Sequence, residues 1–177
     1  DFFPSTAALT AEKGADIPWL AVALGDYTTV LLDESFEPVM HASRSRTCRC
    51  LRFHPTLPLL VIGDGAETIA VVDYVEGEII MELEVEGRVN DLEFSPSGDY
   101  LLAGTDASHF LMYETSTYRP VQEFPCSGFA LAAAFSPSGK CLALGSGDAS
   151  YKMVNLGPFL GTELIPLGHQ EEMRNLP

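Results

Sequence analysis

The sequence predicts an all-β fold made of repeated four-stranded antiparallel sheets, and three observations lead to this prediction. A stretch reading Phe-Ser-Pro-Ser-Gly begins at Phe94 and returns at Phe135, with a looser copy, Phe-His-Pro-Thr, at Phe53. These phenylalanines lie 41 residues apart, and the prolines and closing glycines of the three copies keep the same interval. Each turn leads into a short apolar run that ends in Gly, which is typical of a strand packed on both faces.

Four short strands can be placed in each full repeat. An inner strand leads through the proline turn to the apolar second strand, and a connection rich in Gly, Asp and Ala leads to the third. The inner strands are predicted over 48–53, 89–94 and 131–135, the third over 68–73, 109–114 and 150–155, and the fourth over 78–85, 119–124 and 162–167. In the first of these fourth strands, apolar residues alternate with glutamates, which predicts a half-buried outer strand.

Four short strands per 41 residues is the period of a β-propeller blade, which is about 40–45 residues in the WD40 class. The chain resembles WD40-repeat proteins, in repeats at approximately 1–46, 47–87, 88–128 and 129–177. No repeat has the Trp of that family's Trp-Asp pair, which is represented by Leu32-Asp33, Val72-Asp73, Tyr113-Glu114 and Val154-Asn155. The resemblance implies structural roles for Asp148, in a turn before a third strand, and for His169, which follows Gly168.

The two ends of the chain are harder to align with the repeat. We expect Phe2-Phe3-Pro4-Ser5 to form the proline turn of the first repeat, followed by an insertion over 6–17 that forms a surface loop. At the other end, residues 171–176 stand where a further inner strand belongs. Two alternatives follow. The favoured one is a segment of a larger propeller of about seven blades; the other is a closed four-bladed unit in which 171–176 supplies the first inner strand.

Composition narrows the classes of partner. The 177 residues carry a net charge of −15, which argues against a duplex-DNA or anionic-membrane binder, since either needs a basic surface. No apolar run reaches the length of about 18 residues that a membrane-spanning helix needs. We therefore expect other proteins as partners, with basic or phosphorylated segments among them, and RNA only indirectly through a complex.

The four cysteines, Cys48, Cys50, Cys126 and Cys141, lie in or beside strand-like segments, where free cysteine behaves as a small hydrophobic residue. This favours a reducing intracellular compartment, cytoplasmic or nuclear, without a disulfide framework. We expect neither a cofactor nor a metal.

A basic connection between repeats supplies most of the candidate site. Arg44, Arg46 and Arg49 fall within a few positions of one another in an acidic chain, and could together bind a phosphate or carboxylate group. Arg88 and His109 complete the predicted partner-binding set. The alternative is that these arginines pair with neighbouring carboxylates or are solvated.

Three aspartates, Asp64, Asp106 and Asp148, recur before the third strands. They could coordinate a cation, but Asp in such turns more often accepts hydrogen bonds from its own backbone. No catalytic motif is present, and Gly63-x-Gly65 lacks the helix of a phosphate-binding loop.

The sequence therefore predicts a non-catalytic protein–protein interaction scaffold rather than an enzyme. One alternative is a subunit of a complex for messenger-RNA 3′-end processing, because the stretches at 53–56 and 97–100 are similar to the WD40 subunit of cleavage stimulation factor. A microtubule- or cilium-associated propeller is the other alternative.

Overall fold

A computed structural model describes residues 4–9, 19–33, 35–44 and 46–157, and these residues form strands and turns without helices. The first sheet contains β1 (Pro4–Leu9), β2 (Leu20–Leu24), β3 (Thr28–Leu32) and β4 (Pro38–Ser43). The second contains β5 (Cys48–Phe53), β6 (Leu59–Asp64), β7 (Thr68–Asp73) and β8 (Glu78–Glu84). The third contains β9 (Val89–Phe94), β10 (Tyr100–Thr105), β11 (His109–Glu114) and β12 (Arg119–Pro125). The fourth contains β13 (Ala130–Phe135), β14 (Cys141–Ser146) and β15 (Tyr151–Asn155).

Within each sheet the strands follow chain order and pair antiparallel, so the predicted all-β propeller architecture is confirmed. The predicted strands 48–53, 68–73, 89–94 and 109–114 coincide with β5, β7, β9 and β11. The predicted strands 162–167 and 171–176, and His169, lie outside the described residues. Within the described ranges no helix is long and apolar enough to cross a membrane.

The proline turn uses the same hydrogen bonds in successive repeats. The backbone N–H of Ser95 donates to the carbonyl of Tyr100 at 2.8 Å, and that of Ser136 donates to Cys141 at 2.8 Å. Each serine hydroxyl in turn accepts the N–H of the same partner, at 3.1 Å from Tyr100 and 3.0 Å from Cys141. The repeated Phe-Ser-Pro-Ser-Gly sequence therefore specifies a local structure, as its recurrence predicted.

The sheets pack face to face in chain order, and their inner strands β1, β5, β9 and β13 contact one another in succession. An apolar core fills each junction. Between the first and second sheets it includes Ala21, Leu31, Ile62 and Val72; between the second and third, Val61, Val71, Leu92 and Leu101; between the third and fourth, Leu102, Phe110, Leu142 and Leu144. Because both faces of the second and third sheets are covered, their strands are apolar without strict alternation.

The beginning of the first repeat differs from the expectation. Pro4–Leu9 is itself the inner strand β1, pairing with β2 so that Ala7 lies opposite Val22. Assigning residues 4–5 to the proline turn and 6–9 to an insertion was therefore wrong; the remainder of the expected insertion, 10–17, lies outside the described residues. Proline is tolerated as the first residue of a strand, so a Pro-Ser pair does not by itself indicate a turn. Since β1 fills the inner position of the first sheet, the alternative in which 171–176 fills it is also wrong.

A second periodic feature is a left-handed backbone conformation in the turns between second and third strands. In the four sheets the residues concerned are Tyr27, Glu67, Ser108 and Ala149, with φ of 70°, 65°, 62° and 66°. Positive φ is uncommon for residues other than glycine and carries a steric cost. The turn geometry therefore repeats although the side chains at this position do not.

Candidate partner-binding rim

Arg44 follows β4 and joins the first sheet to the second. Its Nε donates to Asp64 Oδ2 at 3.2 Å, a terminal nitrogen donates to Thr68 Oγ1 at 2.9 Å, and the other terminal nitrogen contacts Glu82. The side chains of Arg44 and Asp64 are 8% and 0% exposed. Burial lowers the pKa of Arg44, but the hydrogen bond from Glu82 and the charge of Asp64 outweigh it and raise the pKa overall. For Arg44, the alternative of pairing with neighbouring carboxylates is what the structure shows.

The next three candidate arginines lie on one edge of the second and third sheets. A Cβ placed on Gly65 would lie 3.8 Å from Arg46 Cβ and 3.9 Å from Arg88 Cδ, so these two arginines flank the same glycine. Arg49 is close by, because its terminal nitrogen donates to Asn90 Oδ1 at 3.1 Å on the inner strand that Arg88 precedes. All three side chains are exposed. We call Arg46, Arg49 and Arg88 the arginine rim.

The arginine rim keeps unused hydrogen-bond donors. Arg88 uses Nε for Asp106, at 2.8 Å, and Arg49 uses one terminal nitrogen for Asn90. The guanidinium of Arg46 makes no hydrogen bond or ion pair with the described residues. Because a guanidinium is a planar fork of several donors, each of the three can still bind an anion bidentately.

Each of the three aspartates before the third strands accepts hydrogen bonds from nearby backbone or side-chain groups. Asp64 accepts the backbone N–H of Ala66 at 2.8 Å as well as Arg44. The hydrogen bond from Asn90, 2.8 Å long, and the pairing with Arg88 lower the pKa of Asp106.

Asp148 accepts the hydroxyl of Ser150 at 2.6 Å and its N–H at 3.0 Å, and these bonds lower the pKa of Asp148. In the described part of the chain, no group of three His, Cys, Asp or Glu side chains could hold a metal ion. The structure thus places the aspartates in turns and ion pairs rather than in a shared cation site.

His109 borders a groove that Arg46, Arg49 and Arg88 do not line. It opens β11, and its Nδ1 is 3.1 Å from the carbonyl oxygen of Ala107. The ring borders an open groove of about 650 Å³ between the second and third sheets, which Glu84, Glu86 and Tyr118 also line. The surroundings of His109 are therefore acidic and aromatic.

Sequence reasoning missed a set of contacts along the inner strands. Arg52 on β5 donates to Asp91 and Glu93 on β9, at 3.0 Å each, and Asp91 accepts the backbone N–H of Ala133 on β13 at 2.9 Å. Burial raises the pKa of Asp91 despite these favourable partners. A signal was present, since Arg52 and Glu93 are opposite charges at the same position of consecutive repeats.

Sequence reasoning also missed two exposed apolar side chains, Phe129 and Leu131, which are 53% and 45% exposed. A Cβ placed on Gly147 would lie 3.6 Å from Phe129 Cβ and 3.5 Å from Leu131 Cδ1, so both flank this glycine. They stand 41 residues after Arg88 and Asn90. We call Phe129 and Leu131 the apolar shoulder.

Comparison with known proteins gives two matches. The family model described as WD domain, G-beta repeat matches residues 77–110, which run from the end of the second repeat to the third strand of the third sheet. A WD repeat-containing protein of Synechocystis sp., itself described as uncharacterized, is 36% identical over 61 residues. That alignment covers 34% of this chain and 5% of the relative, so the chain corresponds to a small part of the relative's length. These matches support a WD40-type protein, and the four consecutive antiparallel sheets are consistent with blades of a β-propeller.

Proposed function

We propose that the chain is a non-catalytic scaffold whose arginine rim binds an anionic group on a protein partner. WD40 repeats generally mediate protein–protein interactions and are typically not catalytic. The proposal depends on a contrast between two kinds of arginine. The guanidinium of Arg44 is buried against Asp64, whereas the three side chains of the arginine rim are exposed. Arg44 holds two sheets together, whereas the arginine rim has donors directed to solvent.

The charge of the whole chain makes the arginine rim distinctive. With a net charge of −15, most of the surface repels anions, and the chain as a whole repels an extended polyanion such as nucleic acid. Three neighbouring guanidiniums create a local attraction of short range, since salt screens exposed charges beyond about 10 Å at moderate ionic strength. The rim therefore favours a partner that places a localised anion at this edge.

A charge-reversal experiment tests the proposal. The variant carries Arg46→Glu and Arg88→Glu, and the matched control carries Arg119→Glu and Lys140→Glu, which are exposed and lie at the opposite edge of the sheets. Thermal unfolding curves first show that all three proteins are folded at the temperature of the assay. Each protein then captures partners from native extract, and mass spectrometry identifies them. We expect the control to retain the partners that the unmodified chain retains, and the rim variant to lose them.

Equal retention by the rim variant would contradict the proposal. Loss from both variants would show that overall charge, rather than the arginine rim, determines binding. The identities of the retained proteins also separate an RNA-processing complex from a microtubule- or cilium-associated assembly.

A further inference from the structure

We infer that the outer strand of the second sheet, β8, is a docking edge that binds an extended basic segment of a partner protein as an additional strand. The segment that fits is one in which Lys or Arg alternates with apolar residues. This inference goes beyond the proposed function, because it uses no residue of the arginine rim.

The strand β8 is more exposed than its sequence indicated. The alternation of apolar residues with glutamates predicted a half-buried strand, but six of its seven residues are exposed. Among them, Ile79, Ile80 and Met81 are 42%, 53% and 39% exposed. Three consecutive large apolar side chains on an outermost strand form a surface on which another strand can pack.

The backbone of β8 also has hydrogen-bonding groups that no described residue uses. β8 pairs with β7 on one side and is the last strand of the sheet on the other. Val85 donates its N–H to the carbonyl of Glu67 at 3.0 Å, and alternate residues of an antiparallel strand face the same way. The N–H and C=O groups of Glu82 and Glu84 therefore point away from β7, toward the open edge.

The outer strands of the first and third sheets protect this edge with proline. At intervals of 41 residues, Pro38 in β4 and Pro120 in β12 take the position that Ile79 takes in β8. Pro125 in β12 likewise takes the position of Glu84, and proline has no N–H to donate to a further strand. Of these three outer strands, β8 is therefore the one whose edge is open to pairing.

Charge determines which kind of strand fits this edge. Residues 53–87 contain eight Asp and Glu residues and no Lys or Arg. Glu82 contacts Arg44 of the first sheet, whereas Glu78 and Glu84 make no ion pair with a described residue. A basic segment would supply the opposite charges that these glutamates lack.

The alternation along β8 sets the pattern of the partner. Side chains of a strand point to its two faces in turn, so Glu82 and Glu84 lie on one face, and Met81 and Leu83 lie on the other. A residue directly opposite on an added strand lies on the same face as its neighbour. Basic residues therefore meet the glutamates when they alternate with apolar residues, which meet Met81 and Leu83.

The same charges argue against occupants from this protein. Pairing β8 with β8 of a second copy would place glutamates beside glutamates, which is unfavourable. The two longer segments outside the described residues are acidic as well: 10–18 has one Lys against two acidic residues, and 158–177 has one Arg against three. The charge of the edge therefore selects a segment of another protein.

The test uses the full 177-residue chain and synthetic peptides of seven residues, the length of β8. In the first peptide Lys alternates with Val, in the second the same residues are rearranged with all lysines at one end, and in the third Glu replaces Lys. Fluorescence anisotropy measures binding at about 0.15 M salt, where exposed charges are screened beyond about 8 Å. We expect the alternating Lys peptide to bind at least about tenfold more tightly than either of the others.

Two substitutions of one residue separate backbone pairing from charge. Glu84→Gln removes a charge and keeps the outward N–H, whereas Glu84→Pro removes both and reproduces the proline of β12 at this position. We expect the affinity for the alternating peptide to fall about threefold in the first variant and at least about tenfold in the second. The matched control, Glu37→Gln, changes an exposed glutamate just before β4 and should leave the affinity unchanged.

Amide hydrogen exchange locates the bound peptide in the unmodified chain and so does not depend on the folding of a variant. We expect the alternating peptide to slow exchange in β8, because its outward N–H groups gain acceptors, while exchange in β4 and β12 stays the same. Circular dichroism checks the fold of each variant used for affinity.

The possible failures are distinct. Equal binding of the rearranged peptide, or equal affinities of the two Glu84 variants, would overturn strand pairing in favour of charge attraction alone. Equal binding of the Glu peptide would overturn the basic chemistry of the partner. Protection in β4 or β12 instead of β8, or no binding of any peptide, would overturn the docking edge. Protection of β8 that increases with protein concentration, without peptide, would identify a second copy as the occupant and overturn the inference as well.

Discussion

His54 and Gly98 illustrate how single residues join consecutive proline turns. The His54 Nε2–H donates to the carbonyl of Gly98 at 3.0 Å, and Nδ1 accepts the backbone N–H groups of Thr56 and Leu57 at 3.1 and 2.9 Å. The ring meets Phe94 edge-on, with centroids 4.8 Å apart. Since Nδ1 accepts two hydrogen bonds, the imidazole is neutral, and protonation would break both.

Replacing Gly98 or Gly139 with alanine separates the energetic cost of backbone strain from the cost of a steric clash. Both glycines have positive φ, 83° and 70°, which costs an L-residue about 1 kcal/mol. A Cβ on Gly139 would meet only Pro96 Cδ, at 3.7 Å, whereas a Cβ on Gly98 would lie 2.7 Å from His54 Nε2. We expect Gly139→Ala to lower the free energy of unfolding by about 1 kcal/mol and Gly98→Ala by about 3 kcal/mol in urea denaturation. Equal losses would show that His54 moves aside without cost.

His54 should make stability depend on pH. Burial lowers the pKa of His54 in the folded chain, so between the folded and unfolded pKa values the unfolded chain binds more protons. The stability that neutral His54 contributes is therefore complete above about pH 6.5, the pKa of histidine in the unfolded chain, and is lost as the pH falls toward the folded pKa. The control His54→Asn keeps an acceptor for the turn but does not titrate. We expect the stability of the unmodified chain, relative to this control, to fall as the pH is lowered below about 6.5 in urea titrations; parallel curves would exclude His54 as the cause.

The sequence allowed the turn but not the contact to be predicted. Pro-Ser-Gly chemistry acts within one repeat and is visible in a linear pattern. The partnership of His54 with Gly98 depends on how neighbouring sheets stack, and it exists because Gly98 lacks a Cβ. Nothing in the spacing of the two residues distinguishes this pair from others.

At the scale of whole strands, the buried ion pair after β4 fixes the first sheet on the second. Removing Arg44 leaves the fully buried Asp64 without its cation, and breaking such a pair costs about 3–5 kcal/mol. We expect Arg44→Ala to lower the free energy of unfolding by about that amount, and Arg44→Met with Asp64→Asn to cost clearly less.

The exposed pair of Arg88 and Asp106 is a matched control, because its arginine side chain is 60% exposed. Arg88→Ala should cost less than about 1 kcal/mol. A double-mutant cycle in guanidinium chloride measures both couplings, and similar values for the two pairs would show that the first is not a buried pair in solution.

Most strands could be predicted because turn chemistry and apolar runs recur together. The first repeat was misassigned because Pro4 and Ser5 copy a turn signature while standing at the start of β1. The role of Arg44 could not be predicted either, since a cluster of arginines in a connection does not reveal which of them points inward. The structure shows that Arg44 is buried and that Arg46, two residues later, is exposed.

At the scale of the molecule, three apolar cores in series imply nearest-neighbour energetics. Leu142 belongs to the junction of the third and fourth sheets, and Leu101 to the junction of the second and third. We expect Leu142→Ala to raise amide hydrogen exchange in β14 and β15 while β6 and β7 keep their protection, and Leu101→Ala to raise exchange on both sides of its junction. Mass spectrometry of exchanged peptides measures this, and a uniform increase for both variants would indicate a single cooperative unit.

The period of 41 residues predicted this serial packing, because identical modules with two apolar faces can only stack on one another. The grouping of the arginine rim at one edge of the sheets was not predictable. It requires knowledge that equivalent positions of consecutive repeats lie side by side at one edge, together with the side chains that stay exposed there.

The left-handed residues Tyr27, Glu67, Ser108 and Ala149 have a wider consequence. None of these four residue types favours positive φ, so the local sequence does not determine the turn conformation. The strands on either side of the turn impose it. A single excised repeat would lose that constraint and relax its corners. The repeat of this chain is thus a repeat of sequence and structure, but it does not fold independently, because contacts with the neighbouring sheets determine its conformation.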